Sequence, residues 1–155
     1  SPVTGIVDSH GLMRALAADA VQGGAVIALR APLVAAARVG DDWHVRAGDD
    51  DAPVAARWLV NCAGLAAQRV ARAVSGFPHA AIPPLRAAKG HYFALAGAAP
   101  FARLVYPVPI DGGLGIHLTL DLAGQARFGP DVEWLPPGDG PWDHAVDATR
   151  ATAFA

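Results

Sequence analysis

The sequence predicts an α/β layer joined to an antiparallel β-sheet, and three observations carry that prediction. A helical pattern over residues 8–22 passes through Gly23-Gly24 into the short apolar run 25–29, which is half of a βαβ unit. Three β signals between residues 33 and 60 then end in Asn61-Cys62-Ala63-Gly64, where a strand meets a glycine and a helix begins. Beyond the proline-bearing stretch 77–84, strand signals follow one another with no helix between them.

Each element has its own reason. Asp8 or Ser9 can cap the first helix by accepting from a free backbone N–H. Leu12, Met13, Leu16, Ala17 and Ala20 recur at helical spacing, and Gly23-Gly24 supplies a left-handed stop. The run 25–29 suits a strand buried on both faces. Residues 33–39, the alternating Trp43-His44-Val45-Arg46 and residues 55–60 form a three-strand meander, linked by the turn Gly40-Asp41-Asp42 and the acidic loop 48–53. A helix through Leu65, Val70, Ala71 and Val74 closes at Gly76. Pro78, Pro83 and Pro84 mark a crossing into a second domain. Strands are expected over 90–95 and 104–108, then a turn at Asp111-Gly112-Gly113. A hairpin follows, with arms 115–120 and 125–129 around Ala123-Gly124. Residues 133–141 read as loop, and a helix begins at Asp147. The expected division is residues 1–80, 81–138, and a helix start in 139–155.

Composition excludes several classes. At 155 residues, 53% hydrophobic and 17% charged, the chain is no disordered segment, although much of its apolar count is alanine. A net charge of −2 and a pI near 6.3 argue against a nucleic-acid surface. No uninterrupted apolar run reaches the ~18 residues that a bilayer span needs. No basic-then-apolar leader argues for export, so a cytoplasmic location is expected, with peripheral membrane association left open. Cys62 stands alone and is expected as a buried, inert thiol. No CxxC or paired histidines suggest a metal site, and Asp49-Asp50-Asp51 reads as a solvated turn. The chain opens on Ser-Pro-Val-Thr-Gly and stops inside a helical pattern, so a piece of a longer protein is expected, one prone to self-association.

The chemistry-bearing residues fall in the second part. Strict alternation puts His117, Thr119 and Asp121 on one face of the hairpin strand, with Ile116, Leu118 and Leu120 on the other. Such a polar row is either a solvated face or the wall of a site. Near it stand Arg86 and Lys89, the tyrosines Tyr92 and Tyr106, and Arg127 on the return arm. A cation, a neutral histidine and a tyrosine hydroxyl together suit a small carboxylate-bearing substrate. Surface charge, a structural histidine and a core tyrosine account for the same residues equally well. At Ala63-Gly64 the strand–glycine–helix junction is either an anion site or a close-packing device.

Five segments, in order, carry a resemblance: SPVTGIVDSHGLMRAL, RWLVNCAGLAAQRVA, IPPLRAAKGHYFAL, LVYPVP and GLGIHLTLDLAGQARFGPDVEW. Together they resemble the FAD-dependent oxidoreductases of the D-amino-acid-oxidase-like superfamily, in particular its L-2-hydroxyglutarate dehydrogenase/oxidase branch. The resemblance implies the middle of a glutathione-reductase-like FAD-binding domain, followed by an antiparallel substrate domain. It implies FAD contacts at the backbone of Val34, at Ala63 and Gly64, and at Gly129 and Pro130. It further implies hydride transfer from a 2-hydroxy acid to FAD, with His117 as base and Lys89, Tyr92, Tyr106 and Arg127 toward the substrate. Lys89 stands where relatives often carry arginine, and lysine lacks the bidentate fork. The glycine-rich pyrophosphate loop of the family is missing from these residues, so weak FAD binding by this chain is expected. The electron acceptor stays open. The alternatives are an amino-acid or amine oxidase of the same superfamily and a non-catalytic binding module.

Overall fold

In the computed structural model, residues 3–49, 52–108, 115–138 and 140–154 are described. The expected turn at Asp111-Gly112-Gly113 lies outside them, as do Asp50 and Asp51. The chain divides into two units. One comprises Ser1–Ala25, Ala87–Pro136 and Trp142–Ala155, the other Val26–Arg86 and Pro137–Pro141.

In the second unit, β1 (Leu33–Val39), β2 (Asp42–Ala47) and β3 (Val54–Ala56) form the expected antiparallel meander in the order β1-β2-β3. Arg38 faces Trp43 in the register and lays its guanidinium over the indole, 5.6 Å from the ring centroid. Pairing passes from Leu33–Ala47 to Ala35–Arg46, so Val34 bulges out with no opposite residue. Ala36, 2% exposed, and Val74 are the buried apolar residues of this unit among those described. The Ala36 N–H donates to the Ala73 carbonyl and its carbonyl accepts from Ser75, which ties β1 to the segment after the helix α2 (Ala67–Arg72).

Three expectations fail in this unit. The third strand stops at Ala56 rather than running to residue 60. Residues 25–29 form no strand, and Val26 and Leu29 are largely exposed. Cys62 is exposed as well. The cause is shared. A strand buried on both faces needs a neighbour for its backbone groups, and the described residues pair none with these segments.

In the first unit, α1 (Ser9–Gln22) begins at Asp8, whose side chain accepts from the Gly11 N–H at 3.0 Å. It ends at Gly23, followed by Gly24 at φ +93°. Its apolar stripe, Leu12, Met13 and Leu16, is exposed. The rest is antiparallel. β5 (Phe93–Ala94), β7 (Ala126–Gly129) and β6 (His117–Leu120) pair in the order β5-β7-β6. β4 (Ala88–Lys89) pairs with β8 (Glu133–Trp134), where loop was expected. The expected strand 90–95 is thus shortened to β5, and that over 104–108 shrinks to one bridge between Val105 and Leu118.

One apolar row crosses the larger sheet. Phe93 faces Phe128, Phe128 faces Leu118, and Leu118 faces Val105. Leu118 is 5% exposed and neighbouring Ala126 fully buried. Phe93 also packs on Phe154 at 4.9 Å between centroids, from the 3₁₀ helix Ala148–Phe154. The helix expected from Asp147 is thus of the 3₁₀ type, and Asp147 caps it by accepting from the Thr149 N–H and hydroxyl.

Candidate functional site

The β6–β7 hairpin sets the polar face. Its turn is held by Asp121, whose carboxylate accepts from the Ala123 and Gln125 N–H groups, both at 2.9 Å, while Gly124 takes φ +78°. With that turn in place, His117 faces Gly129 and Thr119 faces Arg127. The alternation read from sequence therefore holds, and the polar row is half-buried rather than fully solvated.

Gly129 is the pivot. It has φ +145°, and a Cβ there would stand 2.6 Å from both the His91 carbonyl oxygen and Tyr92 Cδ1. Only glycine satisfies both limits. Tyr92 thus lies against Gly129, Gly129 pairs with His117, and the His117 ring meets Tyr106 edge-on at 4.9 Å between centroids. The structure brings these four residues to one place. Pro130 follows directly and fills the space against Gly90.

Beside them Tyr106 borders an open cavity of about 760 Å³, which Thr4, Ile6, Arg103, Leu104 and Leu120 also line. That volume lies within the range of small-molecule sites. Thr4 and Arg103 carry no expectation from the sequence. Nothing in the composition distinguishes Arg103 from the other arginines, because its cavity is made by residues far apart in the chain.

Two expected cations are otherwise occupied. Arg127 is 3.5 Å from the Asp121 carboxylate. Lys89 donates to the Ala145 carbonyl at 3.0 Å and lies 3.8 Å from Glu133 and 3.9 Å from Asp143. Its partners belong to β8 and the segment after it, not to the cavity.

A cluster that sequence reasoning missed lies where the ladder breaks between β4/β8 and β5/β7. His91 is 2% exposed. Its backbone N–H donates to Asp131 Oδ1 at 2.8 Å, and its ring Nδ1 lies 2.9 Å from the same oxygen. An ionised carboxylate only accepts, so the proton of that contact sits on Nδ1. Nε2 is then left buried without a hydrogen bond, 3.7 Å from Glu133. The other Asp131 oxygen accepts from Arg150 Nε, and Arg150 Nη2 donates to the Val132 carbonyl at 3.3 Å. Burial works to raise the Asp131 carboxyl, but the His91 N–H, the Arg150 guanidinium and the His91 ring outweigh it and hold it below the usual carboxylate range. Arg150 is raised in turn, chiefly by its hydrogen bond to Asp131. KGHYF, GPDVEW and the chain end carry no sequence signal of meeting. Only their pairing joins them.

The other expected cofactor contacts lie in the meander unit. Val34 is the bulged residue and is about half exposed. Gly64 has φ +55° with open space around it. At the junction, the Ala63 N–H is taken by the Asn61 side chain, which also donates to the Ala67 carbonyl. A 3₁₀ turn (Gly64–Ala66) precedes the six-residue α2. Among the described residues, nothing in this unit cradles a diphosphate.

A half-buried histidine in edge contact with an exposed tyrosine thus stands beside a cavity of small-molecule size. The whole chain, residues 1–155, matches the family described as FAD dependent oxidoreductase (DAO), and it belongs to that family. FAD is the cofactor of these enzymes. The chain is 44% identical over 104 residues to the mitochondrial L-2-hydroxyglutarate dehydrogenase of Arabidopsis thaliana. That match covers 62% of this chain and 22% of the relative. Among the described residues, no helix is long and apolar enough to cross a membrane.

Proposed function

We propose that this chain is part of a flavin-dependent oxidoreductase that oxidises a small 2-hydroxy acid of the L-2-hydroxyglutarate type by hydride transfer to FAD. Residues within 1–80 contribute to its FAD-binding part, through Val34, Ala63 and Gly64. Residues within 81–138 form its substrate part, and 139–155 return toward it. The observation that carries the proposal is His117 in edge contact with Tyr106 beside the cavity. The similarity to L-2-hydroxyglutarate dehydrogenase supports it.

FAD held by the residues above would supply the hydride acceptor for the hydroxyl-bearing carbon. The chain's own residues do the remainder. His117 takes the hydroxyl proton, so an alcohol leaves as a ketone with charge balanced. Tyr106 packs edge-on against the imidazole, and Tyr92 packs on Gly129, the register partner of His117. Gly129 packs against Tyr92 and Pro130 against Gly90, so both keep this wall of the site closely packed. Lys89 and Arg127 shape the surrounding field through their carboxylate pairs more than they bind substrate directly.

The test is anaerobic bleaching of the flavin in the full-length protein. L-2-hydroxyglutarate should bleach it, and His117→Ala should slow bleaching by about 10²–10⁴-fold with substrate still bound. Bleaching by glycine or sarcosine in its place would favour an amine oxidase, and a colourless protein would sink the flavin assignment.

A further inference from the structure

Three cations of the antiparallel unit are already matched. Lys89 is set among Glu133, Asp143 and the Ala145 carbonyl, Arg127 faces Asp121, and Arg150 holds Asp131. Arg103 differs. It is exposed on the wall of the cavity, and no hydrogen bond or ion pair engages it among the described residues. The polar groups that share the wall include the Thr4 and Tyr106 hydroxyls, with no acidic side chain among the described lining residues. Among the described lining residues, Arg103 is thus the one that carries a formal charge. A guanidinium in that position is matched by a planar anion that accepts two parallel N–H bonds, which is a carboxylate.

Tyr106 connects this charge to the reacting end. Its ring touches His117, and it borders the cavity that Arg103 lines. In a 2-hydroxy dicarboxylate, one carboxylate is bonded to the reacting carbon and stays beside His117. The other lies further along the substrate, and Tyr106 links His117 to the cavity that Arg103 lines. We propose that Arg103 anchors this distal carboxylate and so selects dicarboxylic over monocarboxylic 2-hydroxy acids. The inference rests on the activity proposed at His117.

The experiment uses the full-length, FAD-loaded protein with Arg103→Gln and Arg103→Lys. Steady-state kcat/KM is measured for L-2-hydroxyglutarate and for its monocarboxylic analogue L-2-hydroxybutyrate, and glutarate binding is followed by calorimetry. Arg103→Gln should lower kcat/KM for the dicarboxylate about 10–100-fold, chiefly through KM, and weaken glutarate by a similar factor. The monocarboxylate should change less than about threefold, because it never reaches the guanidinium. Arg103→Lys should fall between, since lysine keeps the charge and loses the fork. Flavin content and circular dichroism report whether each variant is folded. Equal losses for both substrates, or no loss for either, would overturn the assignment and leave the activity at His117 standing. If no 2-hydroxy acid reduces the wild-type flavin, the activity itself fails. Glutarate then decides alone: binding that Arg103→Gln abolishes supports a carboxylate site, and absent or unaltered binding removes it.

Discussion

Asp131 receives the His91 N–H, the His91 ring and the Arg150 guanidinium on its two oxygens. Its carboxyl is therefore held below the ordinary value of 3.8. A depressed carboxyl stabilises the fold when ionised. Its contribution is complete above the unfolded value and disappears as pH falls through the lower, folded one. Asp131→Asn should lower the urea midpoint at neutral pH and flatten the acid limb of the stability curve. Some acid sensitivity should persist, because Asp147 is also lowered, by its hydrogen bonds from Thr149. An acid limb that stays parallel to wild type, measured by denaturation across pH, would contradict this role. None of it could be read from the sequence. His91 and Asp131 are 40 residues apart, and neither periodicity nor spacing marks them as partners. His117, by contrast, was legible as a site candidate, because strand alternation fixes a side chain's face without knowledge of what lies opposite.

Among the elements, the break between β5/β7 and β4/β8 matters most. Gly90 and Gly129 let two backbones approach where side chains would collide. Gly129→Ala puts a methyl 2.6 Å from a backbone carbonyl and adds strain at φ +145°, which should cost about 3 kcal/mol. Gly124 in the hairpin turn has φ +78° with nothing within 4 Å. Gly124→Ala should therefore cost only about 1 kcal/mol. Chemical denaturation of both variants checks the order, and equal losses would show that conformation alone, not crowding, requires Gly129. The hairpin and the Asp8-capped α1 were predicted with near-correct bounds, since their signals are local. The pairing of Glu133–Trp134 with Ala88–Lys89 was not, because a two-residue strand beside prolines carries no pattern of its own.

For the whole molecule, the balance of buried and exposed apolar surface is the telling feature. Among the described residues, Ala36, Val74, Leu118 and Ala126 make up the buried apolar core, all but Leu118 and Val74 being alanine. Val26, Leu29, Trp58 and Val60 are each more than three-quarters exposed. Surface of that kind is covered by association when nothing else covers it. The 155-residue chain by itself should self-associate as concentration rises, seen as a shift in sedimentation velocity, and a sharp monomer at all concentrations would refute this.

Local chemistry in the sequence determined α1, the meander, the hairpin and the candidacy of His117, because caps, turns and alternation act over a few residues. Family membership was likewise legible, in segments such as KGHYF and GIHLTLD read together. Tertiary structure decided the rest. It buried His91 against Asp131 and Arg150, committed Lys89 and Arg127 to carboxylates, and set Arg103 on the cavity wall with no acidic partner among the described residues. It also left residues 25–29 and Cys62 unpaired and exposed. The physical reason is the same throughout. Whether a charge is neutralised or a strand is buried depends on the neighbours that folding brings from distant parts of the chain.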